Sequence, residues 1–226
     1  MQRYNSFKLI HKGLRAALYE TAIKLQQTDF IIEEETEEAA NNVKEIVMLF
    51  HSHASKEDHF VLPAINDYEP SVVAAFEADH EKDHKLMEEL NVAINKVVDA
   101  QSLDDRAIAG TELNQAFVRF MVFNLEHMAR EEDVINKILW RYYTDGEIKA
   151  IGKRISDSVE PWLADFFAKW MLRGISNREA VICLKAIEAS DPAIVFQTLI
   201  NKAEQELPEF RYRKVAQELT EGIMLS

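Results

Sequence analysis

Histidine and glutamate residues four positions apart are the feature that most constrains the fold of this chain of 226 residues. All seven histidines lie within the first 127 residues. Residues at this spacing lie on one face of an α-helix, so each pair presents two potential ligand atoms to one point. The pattern predicts a helix bundle with a dinuclear metal site in its interior. The three pairs are His53 with Glu57, His80 with His84, and His127 with Glu131.

Apolar residues recur at helical spacing through the same half of the chain and predict four long helices. The first helix is expected over residues 5–27 and carries His11, and the second is expected over residues 33–66. The third begins near Pro70, and the fourth carries His127. Short links between amphipathic helices favour an all-α fold with an antiparallel up-and-down four-helix bundle. We assign this bundle to residues 1–143.

Residues 144–226 are predicted to form additional short C-terminal helices, either packed on the bundle or forming a small subdomain. Ser176 with Glu179 fits a capping box, and Asp191-Pro192 fits the start of another helix. Cys183 lies in an apolar run and is interpreted as a small core residue. Aromatic residues in this region favour packing on the bundle, with a surface for a homo-oligomer or a protein partner as the alternative. They are Trp162, Phe166, Phe167 and Trp170.

The lengths of the links decide which residues lie at the same level in the bundle. Counting from the link ends places the predicted ligands of the first three helices at one level. The ligand pair of the third helix lies about 17 residues before Asp99, but the pair of the fourth lies about 24 residues after Asp105. At 1.5 Å per residue the mismatch is roughly 10 Å. We therefore expect an irregular or flaring segment around residues 100–110.

The acidic composition limits the possible partners. Thirty-nine Asp and Glu against 26 Lys and Arg give a net charge of −13, which argues against nucleic acid and anionic membranes. No stretch reaches the ~18 apolar residues that span a bilayer, and the N-terminus lacks a cleavable apolar segment. A cytoplasmic location is the expectation. The single cysteine excludes an intrachain disulfide and a thiolate cluster.

Helical angles separate the histidines into two groups. At about 100° per residue, His51 and His59 point away from the apolar stripe that carries His53, so both are expected at the surface or in a contact between subunits. His11 lies among the apolar residues of the first helix. Burying five imidazoles and two carboxylates in one core would cost several kcal/mol for each unpaired group. Metal coordination would offset that cost, which favours a metal site.

The ligand types indicate which metals would bind. A mixed set of imidazoles and carboxylates suits iron, manganese or zinc. Seven ligand residues are too many for one ion, whereas two six-coordinate irons offer roughly twelve positions. Bridging carboxylates and a bridging oxide or hydroxide would leave about one position open for dioxygen or a related small molecule. We therefore expect two Fe ions, with Mn or Zn as possible substitutes.

The ordered motifs resemble those of hemerythrin-like proteins of the HHE cation-binding type, over about residues 5–143. Myohemerythrin has a four-helix bundle, so the resemblance implies the same fold. It also implies a non-haem di-iron centre bridged by Glu57 and Glu131. Glu132 lies five residues after His127, as the last aspartate does in respiratory hemerythrins, and is the alternative bridge. The matching segments are HKGLR at His11, HASKEDHFVLP at His53, HEKDH at His80 and HMAREE at His127.

Two classes of function follow, and the sequence leaves both open. The first is a binding protein that takes up or senses dioxygen at the di-iron centre. No second buried acid or base is apparent near the ligands, which favours binding over catalysis. The second class is a di-iron enzyme acting on peroxide or nitric oxide, or an iron-handling stress-response protein. A metal-stabilised interaction module is a further alternative.

Overall fold

The computed structural model of the protein describes residues 3–221, and the regular structure within this range is entirely helical. The predicted all-α class is therefore confirmed. None of these helices combines the length and apolar content needed to cross a membrane. The helices are α1 (Lys8–Gln27), α2 (Glu33–Lys56), a π-helical turn (Glu57–Val61), α3 (Leu62–Asn66), α4 (Pro70–Asp99), α5 (Leu103–Tyr142), α6 (Asp145–Asp157), α7 (Pro161–Gly174), α8 (Asn177–Ser190), α9 (Ala193–Glu206) and α10 (Glu209–Glu221).

The chain divides into two compact units, one of which carries most of the predicted ligands. Among the described residues, the first unit comprises 3–8 and 17–159. The second comprises residues 9–16 and 160–221. The predicted domain boundary after Tyr143 differs from this division, because Ile148 and Ile151 of α6 join the apolar core of the first unit.

The first unit is a helical bundle in which α4 runs antiparallel to both α2 and α5. Paired side chains give the register of α4 on α5: Lys96 lies 2.9 Å from Glu112, and Arg119 lies 3.5 Å from Glu89. An apolar cluster that includes Phe76 and Ile135 fills one end of the bundle. The other end contains Phe50 edge-on to Phe120, with ring centroids 5.2 Å apart. The predicted polar centre lies at the level between these two apolar layers.

The irregular segment expected around residues 100–110 is confined to residues 100–102. Helix α5 is continuous from Leu103 to Tyr142. The backbone is extended at Ala100 and at Ser102, so residues 100–102 can cover about 10 Å along the bundle axis. This length accounts for the mismatch in level, and the first turns of α5 extend beyond the end of α4. Leu103 and Ile108 are accordingly exposed, at 57% and 61%.

The second unit has its own core on α7 to α10, to which Leu9 of α1 also contributes. Ser176 caps α8 in a complete capping box with Glu179, as predicted. Cys183 is only partly buried and is not a member of this core. The short helices expected in the C-terminal region are therefore present.

Candidate metal centre

Four elements of the first unit bring five of the predicted ligand residues together. His53 lies at the end of α2, and Glu57 opens the π-helical turn. His80 comes from α4, and α5 supplies the pair His127 and Glu131. Four of these residues are at most 8% exposed, and the His53 side chain is 10% exposed. The centre is thus a buried mixture of imidazoles and carboxylates.

The five residues form two overlapping groups. Glu57, His80, His127 and Glu131 each offer one ligand atom, and these atoms lie within 4.8 Å of one another. His53 forms a second such group with Glu57 and Glu131. Because both carboxylates belong to both groups, they are placed to serve two adjacent ions. A carboxylate offers two oxygens for this purpose.

The separations around His80 Nε2 suit a shared ion better than direct hydrogen bonds. His80 Nε2 is buried without a hydrogen-bond partner and lies 3.6 Å from Glu57 Oε2 and 3.9 Å from Glu131 Oε1. Two atoms that each lie 2.0–2.2 Å from one ion are about 3–4 Å apart. The residues present therefore fit a metal ion, and their chemistry suits iron, manganese or zinc.

The imidazoles turn the same nitrogen toward the carboxylates. His53 Nε2 lies 3.2 Å from Glu57 Oε1, and His127 Nε2 lies 3.1 Å from Glu131 Oε1. The opposite nitrogen of His80, Nδ1, contacts Asp58 Oδ1 at 2.6 Å. A carboxylate on the outer nitrogen fixes ring orientation and raises ligand basicity in metal sites.

Asp79 holds the outer nitrogen of His127 in the same way. His127 Nδ1 lies 3.4 Å from Asp79 Oδ2, and Arg130 donates to the same oxygen at 2.5 Å. Neither outer carboxylate was among the residues predicted from the sequence. The signal available was their position: Asp58 directly follows Glu57, and Asp79 directly precedes His80.

The π-helical turn explains how two consecutive residues contact the same imidazole. Leu62 N–H donates to the Glu57 carbonyl, five residues back, which widens the helix at this point. Glu57 Oε2 then faces His80 Nε2 while Asp58 Oδ1 contacts His80 Nδ1. Pro63, which has no N–H to donate, follows immediately. The second predicted helix is therefore present but interrupted at its ligand residue.

The carboxylates determine the charge of the imidazoles. Burial alone would lower the pKa of His80, but hydrogen bonding to Asp58 and the nearby Glu131 and Glu57 raise it to about 12. Burial alone would also lower the pKa of His127, but Glu131 raises it above its ordinary value. In the absence of a metal ion, the carboxylates therefore favour protonated imidazoles. A cation would take the place of these protons.

His84 lies outside this centre, which corrects the prediction that it shares the buried face of α4. Its side chain is 58% exposed, and its Nδ1 lies 3.5 Å from Glu88 Oε1. Asp83 occupies the inward position instead, is 2% exposed, and accepts a hydrogen bond from Asn124 at 2.6 Å. Burial raises the pKa of Asp83. The statement that no second buried acid lies near the ligands is therefore also wrong.

The remaining predicted positions are His11, His51, His59 and Glu132. His11 lies on α1 in the stretch grouped with the second unit and is fully buried. His51 and His59 are exposed, as expected. At the end of the last motif, the structure places Glu131 in the cluster, whereas Glu132 is not part of it.

Comparison with known proteins agrees with the motifs and the geometry. The family model described as the hemerythrin HHE cation binding domain matches residues 3–139. No curated protein and no solved structure matches the chain significantly. The matched range covers more than half of the 226 residues and includes every residue of the buried centre. The chain therefore belongs to the hemerythrin HHE cation-binding domain family.

Proposed function

We propose that this chain holds two iron ions and binds or senses dioxygen, or a related small molecule, at that centre. One observation supports the proposal most directly: Glu57 and Glu131 belong to both ligand groups. Carboxylates shared in this way suit two ions rather than one. Manganese or zinc remain possible substitutes, since the donor set does not distinguish them from iron.

The ligand set we propose consists of His53, Glu57, His80, His127 and Glu131. His11 is kept as a further predicted ligand because of its sequence motif. Glu57 and Glu131 would bridge the ions, and a bridging oxide or hydroxide would complete the pair. Because His84 is not in this ligand set, the number of open coordination positions on the two ions rises from about one to about two.

The iron pair would supply the reversible electron transfer that dioxygen binding requires. The protein residues hold this pair and control its surroundings. Asp58 and Asp79 orient two imidazoles through Nδ1. The apolar layers on either side, which include Phe76 and Phe120, limit access of water to the buried centre.

Metal analysis and visible spectroscopy test this proposal together. We expect two iron ions per chain and a visible absorption that appears with dioxygen and disappears on its removal. Glu131→Gln should lose bound iron, whereas the matched control Glu132→Gln should retain it. Stoichiometric iron with no reversible spectral change would contradict oxygen binding. Absence of bound metal from the wild-type protein would contradict the metal centre itself.

A di-iron enzyme acting on peroxide or nitric oxide is the second candidate, and Asp83 is the observation that favours it. This carboxyl group is buried, and the charges of His127, His80 and Glu131 act on it. A buried acid with a raised pKa is suited to hold and deliver a proton. Steady peroxide turnover by the iron-loaded protein that falls in Asp83→Asn, at unchanged iron content, would support this function. Lack of turnover in the wild type would exclude peroxide as its substrate.

A further inference from the structure

A groove on the surface of the first unit lies close to the buried centre. It has a volume of about 230 Å³ and is lined by residues of α2 and α4, including His51, His84 and Glu88. His84 is one helical turn from His80, and His51 is two residues from His53. The groove therefore lies on α2 and α4, two of the helices that also carry the buried centre.

The groove brings together side chains that commonly bind metal ions. The rings of His51 and His84 come from different helices, and their centroids are 6.4 Å apart. With metal–nitrogen distances of 2.0–2.1 Å, two imidazoles on one ion have centroids about 5–6.5 Å apart. Glu88 follows His84 by four residues and already contacts it at 3.5 Å. Two imidazoles and a carboxylate can thus reach one ion.

The exposure of these side chains gives the site properties unlike those of the buried centre. His51, His84 and Glu88 are all exposed, so small rotations about their side-chain bonds can adjust the three ligands. Three ligands leave at least one position of a tetrahedral ion open to water or to another donor. Such a site would exchange its ion easily. The net charge of −13 favours the approach of cations to the protein.

We propose that His51, His84 and Glu88 form a surface site that captures a divalent transition-metal ion before the ion enters the buried centre. The capture role rests on the proposed metal-binding function, since it requires the buried centre to take up metal. The surface site itself does not depend on that function. Retention of an ion one helical turn from His80 raises its local concentration at the centre.

Zinc binding tests the surface site separately from the buried centre. The protein is first loaded until its buried centre takes up no more metal, and Zn²⁺ alone is then added under isothermal titration calorimetry. We expect one further equivalent to bind to the wild type. This equivalent should be lost in the double variant His51→Asn/His84→Asn and retained in His59→Asn, which changes an exposed histidine outside the groove. Equal zinc binding by all three proteins would overturn the site.

The rate of metal uptake tests the capture role. Metal-free protein is mixed with micromolar Fe²⁺ under anaerobic conditions, and the iron still accessible to a chromophoric chelator is followed over time. The double variant should reach the wild-type iron content about tenfold more slowly, because the local concentration effect is lost. The His59→Asn control should load at the wild-type rate.

The outcomes separate this inference from the proposed function. Equal loading rates in the double variant and the wild type would overturn the capture role. A lower final iron content in the double variant would also overturn it, because His84 would then act as a ligand of the buried centre. Failure of the wild type to take up any metal would instead contradict the proposed function.

Discussion

At the scale of single residues, Asp58 is the clearest determinant of how His80 faces the centre. Its carboxylate contacts Nδ1 of His80 at 2.6 Å, which leaves Nε2 directed toward Glu57 and Glu131. Loss of such an outer carboxylate typically weakens metal affinity by about 10–100-fold. We expect this loss in Asp58→Ala, measured by competition with a chromophoric chelator. The exposed Asp133, replaced by alanine in the same way, should leave the affinity unchanged. Equal affinities in the two variants would refute the orienting role.

Asp83 provides a second prediction at this scale, on stability in the metal-free protein. Burial raises its pKa, so the folded state disfavours the ionised carboxylate. The loss of stability caused by ionising Asp83 is absent below the pKa of the unfolded chain. It develops as the pH rises through the pKa of the folded state. Asp83→Asn should therefore stabilise the protein at pH 7 by on the order of 1 kcal/mol, with an advantage that vanishes near pH 3. The side-chain oxygen of the new residue can still accept from Asn124.

Urea unfolding at the two pH values measures this difference. Asn124→Asp is an informative companion variant, because it places two carboxyl groups where one hydrogen bond now joins Asp83 to Asn124. It should destabilise the protein most at neutral pH. A stability advantage of Asp83→Asn that is as large at pH 3 as at pH 7 would contradict the account based on charge.

The positions of Asp83 and His84 show how much of the site could be predicted from the sequence. The pair His80 and His84 fits the four-residue spacing, but Asp83 at three residues fits a helical stripe as well. With His80 at 0°, the buried residues Phe76, Met87 and Ile94 lie between about −20° and −40°. Asp83 lies at about −60° and His84 at about +40°. The direction of the whole apolar stripe selects Asp83, whereas the spacing of a single pair does not.

At the scale of helices, close packing between backbones gives the second unit its most sensitive contact. A methyl group on Gly174 of α7 would overlap the backbone carbonyl of Lys12 in α1. Backbone cannot move aside as a flexible side chain can, so Gly174→Ala should destabilise the second unit by about 1–3 kcal/mol. A methyl group on Gly146 in α6 would make only an ordinary contact, 3.9 Å from Thr144 Oγ1, so Gly146 is the matched control. Gly146→Ala should be neutral or stabilise its helix by up to about 1 kcal/mol.

Hydrogen exchange of the α7 to α10 amides, followed by mass spectrometry, would resolve this effect within the second unit. Faster exchange in Gly174→Ala and unchanged exchange in Gly146→Ala are the expected results. Identical exchange in both variants would show that the contact between α1 and α7 tolerates a methyl group.

Helix positions were more predictable than helix interruptions. The apolar period placed both ends of α1 and the first residues of α2 and α4 closely, because burial of one face dominates the stability of long amphipathic helices. The π-helical turn had no such signal, since one extra residue per turn changes the face of the following residues without changing their composition. Nothing in the spacing of the motif indicated that Glu57 and Asp58 would both contact His80. The count of residues from the link ends indicated a mismatch near residues 100–110, but not that an extended link at residues 100–102 would absorb it.

At the scale of the whole molecule, the stability of the metal-free protein should depend on pH more steeply than that of the metal-loaded protein. The pKa of His80 is about 12 in the folded protein, compared with the ordinary value of 6.5 in the unfolded chain. The stability that protonated His80 contributes is therefore fully present below pH 6.5 and is lost as the pH rises through the pKa of the folded state. Between pH 6.5 and 9 the metal-free protein should become less stable with rising pH. A bound ion replaces the proton, so the metal-loaded protein should lose less stability over the same range.

The measurement compares thermal unfolding of the metal-loaded and the chelator-treated protein at several pH values in this window. The difference in midpoint should increase with pH, because groups far from the centre titrate alike in both forms and cancel. Metal addition at pH 7 should release about one proton or more per chain, detected with an indicator dye in weak buffer. A difference in midpoint that stays constant with pH, together with no proton release, would mean that His80 and His127 do not exchange protons for metal.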